Sequence, residues 1–181
     1  GTFGNGLEYQ KVFDIQRLGA IVSKAITLHP RRGNVQPRIA ETPAGMINSI
    51  GLQNIGIEAI LRDVAPVWAT WRVPVIANIA GESVADYTAL ARRLDGVPGI
   101  SGIEMNISCP NVESGLEFGT DPRAASEVTY AVRRQTGQRG QEAPLGAGQP
   151  VWRLAEEQGA HAGLAPFARN GARSPRGMDS R

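Results

Sequence analysis

The hydrophobic positions between residue 18 and about residue 136 form two kinds of segment that alternate along the chain. Runs that are nearly continuous in Val, Ile and Ala predict strands buried on both faces, whereas apolar residues spaced three or four apart predict helices. The predicted strands are 18–24, 73–81 and 99–108, and the predicted helices are 56–68, 83–95 and 121–136. This β-α-β-α order is typical of a parallel sheet with crossover helices.

The predicted helices have recognisable boundaries. Ser83 and Asp121 are suitable N-cap residues, because their side-chain oxygens can accept from free backbone N–H groups. Pro122 would take the first helical position, where its missing N–H costs nothing. The sequence "LDGVPG" would end the second helix.

After residue 136 the alternation stops. Residues 137–181 are rich in Gly, Ala, Pro and Arg, with one short helical pattern around "VWRLAEEQGA". Low hydrophobic density is typical of disorder or loose packing. We therefore predict two parts, a folded segment 1–136 and an atypical tail 137–181 that is disordered or encoded in a disturbed reading frame.

The length of the chain limits its fold. A chain of 181 residues that is 41% hydrophobic can form one globular domain, but a complete α/β barrel takes about 250 residues. The first residue is glycine instead of methionine, so we expect the true start to be missing. One cysteine cannot make an internal disulfide, no apolar run approaches the roughly 20 residues of a membrane span, and no signal peptide is evident. We therefore expect a soluble, cytoplasmic protein that does not bind membranes.

Charge and ligand spacing argue against two other classes of function. The net charge is +2, and only two of the 19 basic residues are lysines. This general arginine bias lacks the clustered basic stripe of a nucleic-acid interface, so no nucleic-acid partner is expected. Cys109, His29 and His161 do not have the spacing of a metal site.

Polar side chains close each predicted strand. Lys24 ends the first strand, Asn78 lies near the end of the second, and Asn106 and Cys109 end the third. Ligands of parallel α/β folds bind at the carboxyl ends of the strands, so these side chains are candidates for a site. Asn78 could instead cap a turn and Asn106 could satisfy loop carbonyls, whereas a lysine in an apolar setting requires an anionic partner.

Cys109 lies between Asn106 and Asn111 and is followed by proline. A lone cysteine is more often a small buried apolar residue, but a thiol in a loop at a strand end can serve as a general base or nucleophile. The flanking asparagines offer donors and acceptors, which suit a flat heterocycle with alternating carbonyl and N–H groups.

Three long motifs resemble a known family. "ETPAGMINSIGLQNIG" (41–56), "VPVIANIAGES" (73–83) and "NISCPNVESG" followed by "FGTDP" together resemble class 1 dihydroorotate dehydrogenases, flavoenzymes of pyrimidine synthesis, over residues 1–136. The resemblance implies a (β/α)8 TIM barrel, here incomplete and roughly its N-terminal half, that oxidises dihydroorotate to orotate with FMN as hydride acceptor.

The resemblance also implies partners. "IGLQN" and "FGTDP" are most similar to the NAD-linked branch, whose catalytic subunit pairs with an electron-transfer subunit carrying FAD and an iron-sulfur cluster. A complete chain of this family is expected to form a homo-oligomer.

The resemblance further implies a role for individual residues. Cys109 matches the catalytic base of class 1 enzymes, whereas class 2 enzymes use serine. The implied dihydroorotate-binding residues are Lys24, Asn48, Ser49, Ile50, Gly51, Leu52, Asn106 and Asn111. The implied FMN-binding residues are Gly1, Lys24, Ala25, Asn78 and Asn106.

The tail departs from the family pattern. A typical member continues with a strand of the form "PVIVKLSPN", a substrate-binding Asn-Thr/Ser pair and glycine-rich loops for the FMN phosphate, and none is readable in 137–181. Two alternatives therefore stand beside the enzyme, a non-catalytic barrel fragment and a related pyrimidine-reducing flavoenzyme domain. "SCPN" together with "NSIGLQN" favours the dihydroorotate enzymes, although we expect the 181-residue chain alone to be inactive.

Overall fold

The computed structural model describes residues 3–108 and 115–137. Within these residues a parallel sheet carries helices, and an antiparallel hairpin stands apart from the sheet. The strands are β1 (Ile21–Val22), β2 (Ile39–Thr42), β3 (Gly45–Asn48), β4 (Val75–Ile79) and β5 (Gly102–Met105). The α-helices are α1 (Gly56–Ala59), α2 (Ala65–Trp68), α3 (Val84–Leu94), α4 (Gly115–Thr120) and α5 (Pro122–Arg133).

The sheet confirms the predicted parallel α/β arrangement. Its order is β1-β4-β5, and both neighbouring pairs are parallel. All five residues of the central strand β4 are buried, as expected for a strand covered on both faces. Each strand is shorter than the apolar run that predicted it.

The first strand was predicted too long at its N-terminal end. Pairing begins only at Ile21, whose N–H donates to the Pro74 carbonyl at 2.9 Å. A 3-10 turn at Ile15–Arg17 precedes it, and Leu18 is exposed. The apolar run therefore starts in a connecting segment, outside the sheet.

The sequence pattern did not indicate the β2–β3 hairpin. Residues Ile39–Thr42 pair antiparallel with Gly45–Asn48, and all eight are exposed in the described structure. Without a buried face the hairpin has no alternation of apolar and polar residues, so periodicity could not find it.

The predicted helix 56–68 forms with a change of winding in its middle. A π-helical turn, Ile60–Val64, joins α1 to α2 and ends just before Pro66. Proline cannot donate a backbone hydrogen bond, and its ring clashes with the carbonyl four residues earlier. A π turn at this point relieves that conflict.

The predicted N-caps of the two longer helices are confirmed, whereas α5 ends at Arg133, before the predicted residue 136. Ser83 Oγ accepts from the Asp86 N–H at 3.2 Å and caps α3, and Asp121 accepts from the Arg123 N–H at 2.9 Å and caps α5. The C-terminal end of α3 is followed by Gly96, whose φ is +70°. Among the described residues, none of the helices has both the length and the hydrophobicity of a membrane span.

The core lies between the sheet and the helices α1–α3 and α5. Its largest fully buried side chains are Trp68 and Tyr87, and the Trp68 indole N–H donates to the Asn5 carbonyl at 2.9 Å. Outside the core, Arg93 of α3 binds Glu58 of α1 with two hydrogen bonds of 2.6 and 3.0 Å. These bonds lower the pKa of the Glu58 carboxyl, and the pair ties the two crossover helices together.

Candidate functional site

An irregularity at the carboxyl end of β1 shapes the candidate site. The register pairs Val22 with Ile76 and then Ile26 with Ile79, so three residues, 23–25, lie opposite two, 77–78. This is a bulge, which bends the strand and redirects the residues within it.

Ser23 stabilises the bulge. Its side chain is fully buried, and its hydroxyl accepts from the Asn78 N–H at 3.1 Å and donates to the Lys24 carbonyl at 3.0 Å. The hydroxyl therefore supplies the acceptor that the interrupted ladder does not offer to the Asn78 N–H. Sequence reasoning missed Ser23, because nothing in the local pattern marks a bulge.

The bulge turns Lys24 away from the ladder. Its backbone N–H donates to the Gly4 carbonyl at 2.7 Å, which ties the N-terminal segment to the strand end. The half-buried Lys24 and the buried Ala25 line a cavity of about 550 Å³. Asn5 also lines the cavity, and its buried Oδ1 has no partner among the described residues.

Asn78 lies on β4 directly opposite Glu104 of β5. The Asn78 amide nitrogen donates to Glu104 Oε1. A carboxylate accepts and does not donate, so this contact orients the amide with its nitrogen toward β5 and leaves Asn78 Oδ1 as an acceptor for another group. Sequence reasoning named Asn78 but not Glu104.

Asn106 follows β5 and is held by its backbone. Its N–H donates to the Ile79 carbonyl at 2.8 Å, and its carbonyl accepts from the buried Tyr87 hydroxyl at 2.7 Å. Its side-chain amide makes no hydrogen bond to the described residues, which leaves both of its polar atoms available for a ligand. The prediction that Asn106 satisfies loop carbonyls through its side chain has no support in this part of the chain.

The predicted substrate loop, residues 48–52, begins at the end of β3. Leu52 at its far end adopts φ +55°, a left-handed conformation that costs a leucine roughly 1–2 kcal/mol. Leu52 is nevertheless buried against Ala25 and Ala80, the residues at the ends of β1 and β4. This packing fixes the loop to the carboxyl edge of the sheet.

Asn54 anchors the chain that leaves this loop. Its Oδ1 accepts from the N–H groups of Thr27 and Gly56 at 3.3 and 2.9 Å, and its Nδ2 donates to the Leu52 carbonyl at 3.0 Å. Asn54 therefore joins the segment after β1, the substrate loop and the start of α1. It too was missed, because its role depends on contacts between distant segments.

The structure brings together only some of the predicted site residues. Ile50 lines the same cavity as Lys24 and Ala25. Asn78 and Asn106 lie on neighbouring strand ends but are not among the residues that line it, and Asn48 and Ser49 are exposed in the described structure. Gly1, Cys109 and Asn111 lie outside the described residues, as does the tail from residue 138.

Comparison with known proteins decides the family. The family model described as dihydroorotate dehydrogenase matches residues 1–151 of the 181. The chain belongs to the dihydroorotate dehydrogenase family. The resemblance carried by the three long motifs is thereby confirmed, and with it the expectation of an α/β family fold.

The similar relatives are named dihydroorotate dehydrogenase B (NAD(+)), catalytic subunit. The relative from Desulforudis audaxviator is 56% identical and that from Geotalea daltonii 50% identical, each over 137 residues, 75% of this chain and 45% of the relative. The relative from Latilactobacillus sakei is 53% identical over 135 residues, 72% of this chain and 44% of the relative. The chain thus spans about half the length of these relatives, and their names agree with the predicted NAD-linked branch of class 1.

Proposed function

We propose that this chain carries the N-terminal part of the active site of an FMN-dependent dihydroorotate dehydrogenase, which oxidises dihydroorotate to orotate in pyrimidine synthesis. The observation that supports this most strongly is the packing of Leu52 on Ala25 and Ala80. It joins the predicted orotate loop to the predicted flavin-binding strand end at the carboxyl edge of a parallel sheet, where ligands of such folds bind.

The residues present fit a flavin. Lys24 offers a donor at the cavity, Asn78 offers an amide oxygen, and Asn106 offers a side-chain amide that has no partner among the described residues. Lys24, Ala25, Asn78 and Asn106 would hold the ring together with Gly1. When bound, FMN supplies the hydride acceptor that amino acid side chains lack.

The protein side chains in this proposal bind, orient and deprotonate the substrate. The Cys109 thiolate takes the proton from C5 of dihydroorotate while the hydride leaves C6. The asparagines at positions 48, 106 and 111 hold the pyrimidine ring in register for both transfers, and Lys24 lies near the same ring.

The larger assembly is also proposed from the family. We place residues 1–136 in an incomplete (β/α)8 barrel and treat 137–181 as a separate, atypical tail. The relatives are named catalytic subunits, which supports pairing of the complete protein with an electron-transfer subunit that carries FAD and an iron-sulfur cluster. A homo-oligomer in the cytoplasm completes this proposal.

The proposal is tested in what we call the completed chain, residues 1–137 joined to the remaining C-terminal part of the Desulforudis audaxviator relative. Cys109→Ala should slow flavin reduction by dihydroorotate roughly 10²-fold or more, the scale of losing an acid-base group. Stopped-flow absorbance of the flavin measures this rate under anaerobic conditions.

Two further variants sharpen the assignment. Cys109→Ser should retain part of the rate, since serine is the base expected in class 2 enzymes and can pass its own proton to solvent as it takes the one from C5. Ser126→Ala on the exposed surface of α5 should match the parent. Reduction of Cys109→Ala at the parental rate would show that another group is the base. A parent that binds FMN but is not reduced by dihydroorotate would refute the proposed activity.

A further inference from the structure

The predicted substrate loop is held by a second loop, residues 31–38, to which no role has yet been assigned. The two segments pair at one end, where the N–H groups of Arg31 and Asn54 donate to each other's carbonyls at 2.9 and 3.1 Å. They pair again at the other end, where the Ser49 N–H donates to the Arg38 carbonyl at 2.8 Å. The substrate loop is therefore clamped at both ends.

Asn34 fills the space between these two ends. Its N–H donates to the Ile50 carbonyl at 3.0 Å, and its side-chain Nδ2 donates to the Ser49 carbonyl at 3.0 Å and to Ser49 Oγ at 2.8 Å. The Ser49 carbonyl can only accept, so the amide must present its nitrogen to it. One residue thus fixes two consecutive peptide groups of the substrate loop.

Two glycines make the approach of the loops possible. Gly33 and Gly51 have φ values of +73° and +74°, and a Cβ on Gly33 would overlap the Ile50 carbonyl oxygen. A Cβ on Gly51 would lie 2.5 Å from Asn34 Oδ1. The absence of a side chain at position 51 therefore makes room for Asn34.

Arg38 braces the clamping loop from within. Its guanidinium donates to the Arg32 and Asn34 carbonyls, both at 3.2 Å, and to Gln53 Oε1. These bonds hold the backbone of Asn34 in place independently of its side chain. Removal of the Asn34 side-chain amide should therefore release the Ser49 carbonyl and hydroxyl without unfolding the clamping loop, while the Asn34 N–H still holds the Ile50 carbonyl.

We propose that Asn34 is a positioning residue for the pyrimidine, because its side-chain amide fixes Ser49 beside the Ile50 carbonyl that its backbone N–H holds, in the conformation that receives the ring. This inference rests on the proposed function of loop 48–52 in binding dihydroorotate and orotate. Asn34 itself is exposed and acts through the loop. Its removal should weaken substrate binding and leave FMN binding intact, since the predicted flavin contacts lie elsewhere.

The experiment compares Asn34→Ala and Asn34→Asp in the completed chain. Asn34→Asp keeps the shape but places a carboxylate oxygen against the Ser49 carbonyl, so both variants lose the donor. The matched control is Val35→Ala, because Val35 is the next residue and is 88% exposed. Orotate affinity is read from the flavin absorbance, together with the FMN content, the thermal midpoint and the steady-state kinetics.

Both Asn34 variants should bind orotate roughly tenfold more weakly, because each lost hydrogen bond typically changes an equilibrium by about two- to tenfold. The KM for dihydroorotate should rise by a similar factor, while kcat, FMN content and the thermal midpoint stay at the values of Val35→Ala. A general loss of folding would lower the FMN content and the thermal midpoint as well, and would overturn the positioning role.

Hydrogen exchange of the peptide that covers residues 48–52 gives a readout that does not depend on orotate. Exchange should be faster in both Asn34 variants than in the Val35→Ala control. The inference would be overturned if exchange in the Asn34 variants were unchanged. It would also be overturned if the parent bound orotate and the variants bound it equally well. If the parent failed to bind orotate but exchange were faster in the variants, the proposed function would be refuted. The contact by which Asn34 holds residues 48–52 would still be supported.

Discussion

At the scale of single residues, the geometry of the candidate site depends on one buried hydroxyl. Ser23 satisfies the N–H of Asn78 and the carbonyl of Lys24 at the same point of the bulge. Both neighbours are predicted flavin contacts. A change at Ser23 would therefore disturb two ligand contacts without touching the ligand itself.

Ser23→Ala should destabilise the completed chain by about 1–3 kcal/mol, because a buried N–H loses its acceptor and water cannot reach it. Chemical denaturation monitored by tryptophan fluorescence measures the free energy of unfolding. Ser126→Ala removes an exposed helix hydroxyl and should change it by less than about 0.5 kcal/mol. Equal effects of the two substitutions would show that the bulge does not depend on the hydroxyl.

The individual site residues divide into those that sequence could indicate and those that it could not. Lys24 and Asn78 stand out because they are polar residues in apolar runs. Glu104 is also a polar residue in a predicted strand, but its contact with Asn78 depends on the register between strands, and the role of Asn34 depends on a contact between two loops. Such pairings join residues that are distant in sequence, and no local pattern carries them.

At the scale of elements, the sequence predicted those features that depend on residues close together along the chain. The caps at Ser83 and Asp121 and the nearly continuously apolar β4 follow from hydrogen bonding and burial of neighbouring residues, and all three were predicted. The exposed β2–β3 hairpin has no burial pattern, and the bulge after β1 depends on its partner strand. Both were therefore missed.

Two glycines between α3 and β5 allow a test of element packing. Gly99 has φ +88° and lies against the end of α2, where an added Cβ would approach the Trp68 carbonyl carbon to 2.6 Å. Gly96 has φ +70°, but an added Cβ would meet nothing within 4 Å. The two positions therefore share the backbone conformation and differ in the contact.

Gly96→Ala should lower the free energy of unfolding by roughly 1–2 kcal/mol, because alanine is strained in the left-handed conformation. Gly99→Ala should cost about 1–3 kcal/mol more, since the helix end must move to admit the methyl group. Gly19→Ala, with ordinary φ and nothing within 4 Å of the added Cβ, serves as the neutral control. Denaturation of the completed chain measures these losses of unfolding free energy. Equal losses for Gly96→Ala and Gly99→Ala would contradict the packing of the loop before β5 against the end of α2.

At the scale of the whole molecule, the described residues leave much of their structure open. Strands β1 and β5 are the edges of the sheet, each with one strand beside it. The β2–β3 hairpin and the loop before it carry exposed apolar residues. The exposed fractions of Val35, Ile39, Met46 and Ile47 lie between 53% and 88%. Unpaired edges and exposed apolar side chains promote association with other chains. The described part thus has the surface of a piece of a larger fold.

A polypeptide of these 181 residues alone should therefore be colourless and should not oxidise dihydroorotate. A (β/α)8 barrel closes when its last strands pair with its first, and the chain spans 45% of the length of the relative from Desulforudis audaxviator. The glycine-rich phosphate loops of the family are not readable in the sequence of residues 137–181, so we expect the flavin to lack the anion site that orients its ring. Visible absorbance and FMN content after purification test this expectation, with the completed chain as the yellow control. A yellow 181-residue protein with stoichiometric FMN that dihydroorotate bleaches would refute it, and would mean that the tail itself supplies a phosphate site.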